Sequence, residues 1–347
     1  MDDLTTAPTP PIGTPIMHQL YFSYTAPNIS LPLIFVLLGL LILGLNSLLC
    51  HYYLAKNGSV VYDKLFLLLS AADALTGLAA VLQCATLTAA LVNDRQTVTM
   101  LLPVTSMLSA VAFHTSAFYN VLLAVCRTIT LHYPFFTFDM WVLHGVAGLY
   151  PLVWGLLAGY EVYSVYENEQ YLVERINLLQ ISPLCGSELI YNTAPDNFPN
   201  WAYFVLLLGV PYVIPSIVCS ACCCFSLVSL RPCLGINKDS TNTTGYIVTK
   251  TGNSKLVRVR QNRNFRATIT ILQLSAAFFV CNTLFFLTEF TLQIMDPKGI
   301  EEFENYIVYT AGNLLPVFNS LINPTILIRR GTKLRNFVNN LFREREK

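Results

Sequence analysis

The chain has 347 residues, of which 54% are hydrophobic and only 12% charged, and its mean hydropathy is +0.52. A soluble domain carries roughly 25% charged residues, so this composition places most of the chain in lipid. The net charge of +1 supplies no basic stripe of the kind nucleic-acid binding requires, which excludes that class.

Residues 1–31 are rich in Pro and Thr and are expected to form a disordered extracellular N-terminus, with a glycosylation sequon at Asn28-Ile29-Ser30. Seven apolar stretches follow, at 32–54, 63–92, 98–132, 140–164, 199–230, 266–295 and 303–328. Each is long enough to cross a hydrocarbon core about 30 Å thick. Each must be helical, because lipid offers no partner to open backbone groups. Pro103, Pro151, Pro211, Pro215, Pro316 and Pro324 fall inside them, where neighbouring helices can satisfy the freed groups. The predicted fold is an all-α membrane protein, a seven-transmembrane helix bundle over 32–330. The segment 331–343 is too short and too polar to span. Its Leu334, Phe337, Val338, Leu341 and Phe342 recur at helical spacing among Lys333, Arg335 and Arg343, which predicts an amphipathic helix in the headgroup plane. A short cytoplasmic tail completes 331–347.

Orientation follows from Lys and Arg. With the N-terminus outside, eighteen of the 21 lie on the cytoplasmic side, leaving only Arg95, Arg175 and Lys298 outside. A multi-pass plasma-membrane protein is expected. The start, Met1-Asp2-Asp3, has no positive n-region, so the first span is expected to act as its own insertion signal. The outer loop 165–198 is acidic and holds Cys185. The inner loop 231–265 is rich in Gly, Asn, Ser and Thr and then turns basic, running into the sixth helix.

Polar side chains at membrane depth are costly and should face the bundle interior. Asn46, Asp73 and Ser116 lie mid-span in the first three helices, and Asn319 and Asn323 share one face of the seventh. One carboxylate and several neutral oxygens can hold a sodium ion or a water network. A polar network that satisfies itself and fixes helix packing is the equal alternative. Arg127 stands at the inner boundary of the third span, a place that simple snorkelling also explains. The chain shows no catalytic constellation. The five histidines have no metal or nucleophile partner at recognisable spacing, and His114 is expected to be a helix–helix hydrogen-bond donor. Cys222, Cys223 and Cys224 fan out by about 100° each on a helix and cannot converge on one metal ion.

In chain order, Gly44-Leu45-Asn46, Leu69-Ser70-Ala71-Ala72-Asp73, Arg127 with Pro134, Trp154, Pro215, Phe278-Phe279-Val280-Cys281 and Asn319-Ser320-Leu321-Ile322-Asn323-Pro324 stand on the seven spans. Together they resemble the rhodopsin-like G-protein-coupled receptors over 32–343, in a divergent form closer to invertebrate peptide or chemosensory receptors than to amine receptors. The resemblance implies a receptor that converts extracellular ligand binding into activation of a heterotrimeric G protein, and it implies no enzyme activity. It makes Asn46, Asp73, Ser116, Asn319 and Asn323 the sodium or water pocket, with no other cofactor. It assigns G-protein coupling to Arg127, Pro134, Arg263 and Arg266, and the switch to Phe278, Cys281, Asn282 and Pro324. Membrane lipids, a receptor kinase and arrestin are further implied partners, with Thr241, Thr243, Thr244, Thr249, Thr251 and Ser254 of the inner loop as phosphorylation sites.

Departures from the family pattern are many. Cys126 replaces the acid before the arginine, and Thr128 the tyrosine after it. Leu327 and Cys223 replace the tyrosines of the seventh and fifth helices, and Asn282 the tryptophan of the switch. Without its adjacent carboxylate, Arg127 is expected to be less restrained and basal activity higher. Leu102 occupies the usual cysteine position of the third helix, which leaves Cys185 to pair, if at all, with Cys84. Ser109 stands where amine receptors carry an aspartate, and Val317 where opsins carry the retinal lysine, so neither ligand class fits. The expected ligand pocket comprises Gln83, Ser106, Ser109, Ala110, Glu289, Gln293 and Asn313. A transporter or channel would show inverted repeats or broken helices, and none is visible. A receptor-like protein that binds ligands or partners without signalling is the remaining alternative.

Overall fold

The computed structural model describes residues 26–56, 61–92, 95–133, 136, 139–167, 213–230, 254–294 and 303–344, and the statements below concern these. Eight helices account for nearly all of them: α1 (Ala26–Ala55), α2 (Val61–Leu91), α3 (Arg95–His132), α4 (Met140–Glu167), α5 (Ile214–Leu230), α6 (Ser254–Ile294), α7 (Phe303–Arg330) and α8 (Thr332–Glu344). Four contain apolar runs long enough to cross a membrane: Leu33–Ala55, Val61–Thr86, Pro103–His132 and Phe265–Thr288. Trp141–Leu157 and Ile214–Ser229 are shorter apolar helices. The 28 residues of α7 reach about 42 Å at a rise of ~1.5 Å per residue, with several polar side chains turned into the bundle.

Two boundaries differ from expectation. Helix α1 begins at Ala26, ahead of residue 32, so Asn28 falls in its first turn. Helix α6 begins at Ser254, and residues 254–265, expected as loop, are its first three turns. This stretch holds three Arg and one Lys and is free of Gly and Pro, so no strong helix breaker stops the helix from growing back out of the membrane. At 41 residues, α6 is about 60 Å long, roughly twice the hydrocarbon thickness.

The helices close into a bundle. α1 packs on α2 and α7, α6 lies between α5 and α7, and α3 runs through the middle against α2, α4, α5 and α6. The outward side chains are apolar. Leu37, Leu40, Leu149, Leu152, Leu156 and Val280 are exposed, as expected of helices that meet lipid rather than water. The interior is layered instead of uniformly oily. Phe35, Ile42, Ala80 and Val317 form one apolar cluster. Leu65, Leu69, Leu123 and Ile271 belong to another at the Arg127 end, and polar side chains lie between them.

Glycine sets a close approach of α1 and α2. A Cβ built on Gly77 would sit 2.7 Å from the Leu43 backbone nitrogen and 2.8 Å from the Gly39 carbonyl oxygen. One built on Gly39 would meet the Gly77 carbonyl oxygen at 2.8 Å. Small residues at a crossing let two backbones touch, a main source of association where lipid cancels the hydrophobic drive. That crossing joins the helices that carry Asn46 and Asp73.

At the other end of α7, Gly331 interrupts the helix and α8 turns away. Leu334 of α8 is buried against Leu49 and Leu327, and Val338 packs beside it. Phe337 lies against Tyr52 and His51 of α1. The amphipathic reading of this segment is thus realised by seating its apolar face on α1 and α7.

Candidate functional site

Asp73 is fully buried on α2, and three donors converge on its carboxylate. Ser116 Oγ of α3 donates to Oδ1 at 2.6 Å, Ser320 Oγ of α7 to Oδ1 at 2.9 Å, and Asn323 Nδ2 to Oδ2 at 2.9 Å. Asn46 Nδ2 of α1 donates to the Ile42 carbonyl and to the Ser320 carbonyl, at 3.0 and 3.1 Å. Four helices are therefore pinned at one depth.

Asp73, Ser116 and Asn323 are directly bonded, Ser320 joins them, and Asn46 reaches the group through the Ser320 carbonyl. Ser320 carries one of the three bonds and was missed by sequence reasoning. Its signal was present, since residues three apart on a helix share a face and Ser320 stands three before Asn323. Asn319 lines a small cavity with Ser116, Ser320, Phe278 and Asn282. The Oδ1 atoms of Asn46, Asn319 and Asn323 are buried without a hydrogen-bond partner. A buried carboxylate, hydroxyl oxygens and orphaned amide oxygens form the donor set of a hard cation such as sodium. Sodium therefore fits these residues.

The second constellation lies at the far end of α3. Arg127 is buried, 6% exposed, although its guanidinium is always charged. Cys126 provides no carboxylate, and Thr268 of α6 takes that place: Arg127 Nε donates to Thr268 Oγ1 at 2.9 Å, and Nη2 reaches the same oxygen. On the opposite side the guanidinium lies 5.9 Å from the Tyr62 ring centroid, within cation–π range. Tyr62 is itself fixed by Thr130 Oγ1 at 2.6 Å and by the Cys126 carbonyl at 3.2 Å. The arginine is thus restrained, a hydroxyl and a ring being among its contacts. Thr268, Tyr62 and Thr130 gave no motif signal, because their role depends on helices far apart in sequence.

The lost tyrosines have left distinct environments. Thr128 donates to the Ala124 and Cys222 carbonyls and meets Ser226 Oγ at 3.3 Å, tying α3 to α5. Cys223 lines a small cavity with Arg127, Ser226 and Thr268. Leu327 is buried in the cluster that seats α8. A further polar tie joins α7 to α6, from Arg330 Nε to Gln273 Oε1 at 3.0 Å.

Among the switch residues, Phe278, Cys281 and Asn282 are buried, and Phe278 packs on Ala117, Ala124 and Cys219. Pro324 is buried in α7. His114 stacks on Trp154 with ring centroids 4.0 Å apart, and Phe118 on Tyr150 at 4.1 Å. Tyr119 Oη donates to the Ala147 carbonyl, so α3 and α4 are joined by rings and one bond. Of the expected ligand pocket, Gln83 is buried and Ser109 and Ala110 are partly buried, and neither small cavity is lined by them. Arg266 is exposed on α6. Pro134 and Cys185 lie outside the described residues, as do the inner-loop threonines and the side chains of Asn28, Ser106, Arg263, Glu289, Gln293 and Asn313. Cys84 packs near Phe35 and Ile42 and bonds to no other described cysteine. The described residues hold no cluster of three or more His, Cys, Asp or Glu side chains placed for a metal.

A comparison with curated proteins found no match. The model of the family described as "7 transmembrane receptor (rhodopsin family)" matches residues 46–327, most of the chain, including Asp73 and Arg127. The chain is a multi-pass membrane protein and belongs to the rhodopsin family of seven-transmembrane receptors.

Proposed function

We propose that this receptor sits in the plasma membrane with its N-terminus outside and converts binding of an extracellular peptide or small chemosensory ligand into activation of a heterotrimeric G protein. The observation that carries this reading is Arg127, a charged side chain buried between α3 and α6 and held by Thr268 on the helix that would have to move. A permanent cation is expensive to bury, and a purely structural bundle has no need of one at a helix junction. Release of Thr268 as the Arg127 end of α6 swings outward frees the guanidinium for a G protein. Ligand binding drives this only to the extent that it favours the open state.

The Asp73 cluster is proposed to bind sodium, which would hold α2, α3 and α7 in the arrangement described and so oppose opening. Asp73 supplies the charge, and Ser116 Oγ, Ser320 Oγ and the Asn319 and Asn323 Oδ1 atoms supply neutral oxygens. Exposed Arg266 is proposed to join Pro134 and Arg263 in the coupling surface. Receptor kinase and arrestin are proposed to act on the inner loop.

Guanine-nucleotide exchange on a panel of G proteins, in membranes containing the full-length chain, tests the signalling reading. Exchange above that of empty membranes and lost in Arg127→Ala is expected. Equal exchange with and without the receptor across the panel, even with a library of candidate ligands, would leave the non-signalling alternative standing.

A further inference from the structure

The last turn of α3 meets α5 through a histidine. His132 Nδ1 lies 3.0 Å from the Thr128 carbonyl oxygen, and His132 Nε2 lies 3.2 Å from Ser229 Oγ of α5. Ser229 Oγ also donates to the Phe225 carbonyl at 2.9 Å. A carbonyl only accepts, so Nδ1 carries a proton. A serine hydroxyl has one proton to give. Spent on Phe225, that proton leaves Ser229 Oγ an acceptor toward Nε2, so Nε2 carries a proton as well. Two protonated ring nitrogens make the imidazolium. A neutral ring keeps only two of these three bonds, because Ser229 must then turn its proton from Phe225 to Nε2. The imidazolium keeps all three, and the two from its ring are charge-assisted. His132 is also the final residue of α3, where unpaired carbonyls favour a cation.

We propose that His132 binds a proton at the junction of α3 and α5 and, in its charged form, fastens the two helices together. One turn further into the bundle, Thr128 Oγ1 reaches the Cys222 carbonyl and Ser226 Oγ at 3.3 Å each. The histidine thus adds a charged rung to a seam that is otherwise neutral. The described ionisable side chains of the neighbouring helices at this end are Tyr62, Asp63 and Lys64 of α2, Arg266 of α6, and Asp139 and His144 at the start of α4. On α3 itself they are Arg127 and Tyr133, and α5 supplies only thiols. None of these bonds to the His132 ring: Asp63 pairs with Lys56, Asp139 accepts from the Trp141 backbone, and Arg127 is held by Thr268. The two carboxylates and the three cations oppose one another around the ring, so its charge is decided by the bonds it makes. The sign follows. The fastening is complete while the ring is charged and weakens as pH rises through its titration. With the Arg127 end facing the cytoplasm, as proposed above, a more alkaline cytosol loosens α5 beside the helix that must move. The proton site itself depends neither on that orientation nor on any G protein.

The test is magnetic resonance of isotope-labelled histidine ring nitrogens in the full-length receptor, held in lipid nanodiscs. These signals separate the imidazolium from either neutral tautomer, and His132→Gln assigns the His132 signal by its disappearance. Spectra are taken from about pH 5 to about pH 8, the range over which a histidine changes charge. The helices hold the proton by the same factor as the proton holds the helices. Ser229→Ala, which removes the acceptor from Nε2 at an exposed site, is therefore expected to lower the ratio of charged to neutral His132 several-fold at a given pH. Ser229→Thr, which keeps the hydroxyl, is expected to stay near wild type. An unchanged ratio in Ser229→Ala overturns the proposal, because water then serves Nε2 as well as the serine does. A raised ratio overturns it too, because that is the sign expected of a neutral ring that accepts from Ser229. A fall in Ser229→Thr as large as that in Ser229→Ala assigns the effect to packing and overturns it. In the wild type alone, a ring whose Nε2 stays bare at the acid end of the range overturns it without any variant. Absence of nucleotide exchange in the G-protein panel leaves all of these outcomes readable, so failure of the signalling reading and failure of this one are distinguishable.

Discussion

The tightest quantitative statement concerns Thr268. Replacing it by valine keeps the size and branching of the side chain and removes only the hydroxyl that accepts from Arg127 Nε and Nη2. A hydrogen bond to a charged group contributes roughly 1.5–3 kcal/mol. The Tyr62 ring stays where it is, fixed by Thr130, and keeps part of the arginine's restraint. The net loss, taken at the low end of the range, is about 1.5 kcal/mol against the closed state alone. A free-energy change of about 1.4 kcal/mol is tenfold in an equilibrium. A receptor open about one part in a hundred would then be open about one part in ten. Basal nucleotide exchange in membranes matched for receptor amount should rise roughly tenfold in Thr268→Val. Thr268→Ser, which keeps the oxygen, should stay near wild type. If Thr268→Val matches wild type while Arg127→Ala abolishes exchange, Thr268 is no restraint and the argument fails. If valine and serine rise together, packing rather than the hydrogen bond is responsible.

Other expectations follow from the same geometry. Gly77→Ala places a Cβ against two backbone atoms that cannot yield, so it should cost about 1–3 kcal/mol of overpacking and lower the melting midpoint. Gly44→Ala, with nothing within 4 Å of its Cβ, should be neutral or slightly stabilising; equal melts would refute the crossing as described. Sodium chloride is expected to raise the melting temperature of the wild type over choline chloride and Asp73→Asn to abolish that rise; no rise in the wild type would refute sodium binding, and persistence in the variant would move the ion elsewhere. Leu334→Ala, which empties a buried site in α8, should cost about 2–5 kcal/mol locally and speed hydrogen exchange across Thr332–Glu344. Unchanged protection there would mean that lipid alone holds α8.

The sequence was most legible where a single helix carries the whole signal. Apolar runs gave the spans, and the 3.6-residue recurrence of Leu334, Phe337 and Val338 gave α8, because both depend only on neighbours along the chain. Asp73, Asn46 and Asn323 were legible for a related reason: a polar side chain in an apolar run has few places to face. What escaped was pairwise and distant. Thr268 is an ordinary residue in α6, and only its position 141 residues from Arg127 in sequence yet against it in space gives it a role. Tyr62 and Gln273 belong to the same class. The start of α6 at Ser254 escaped for a different reason. The basic stretch lacks membrane character, and hydropathy marks where a helix enters lipid, not where it begins.

The missing motif residues are best understood together. In the family pattern the lost tyrosines of the fifth and seventh helices bridge the open state, and an acid holds the arginine in the closed one. Here three polar ties act in the arrangement described, which the proposed function takes as the closed one: Thr268 on Arg127, Gln273 on Arg330, and Thr128 on Ser226. Leu327 extends the same bias, since it joins the apolar contact that seats α8 and brings no hydroxyl to the space near Cys223. Two of these three polar ties reach α6, and both run to its Arg127-end half. A rigid outward swing would break them at once, whereas a rotation of α6 about its own axis could preserve one. The closed state is therefore held by individually modest bonds that fail together, and little in the described residues is placed to hold the open state by itself. On that balance the open state of the proposed mechanism would draw its stability from outside the chain, from the proposed ligand on one face and the proposed G protein on the other.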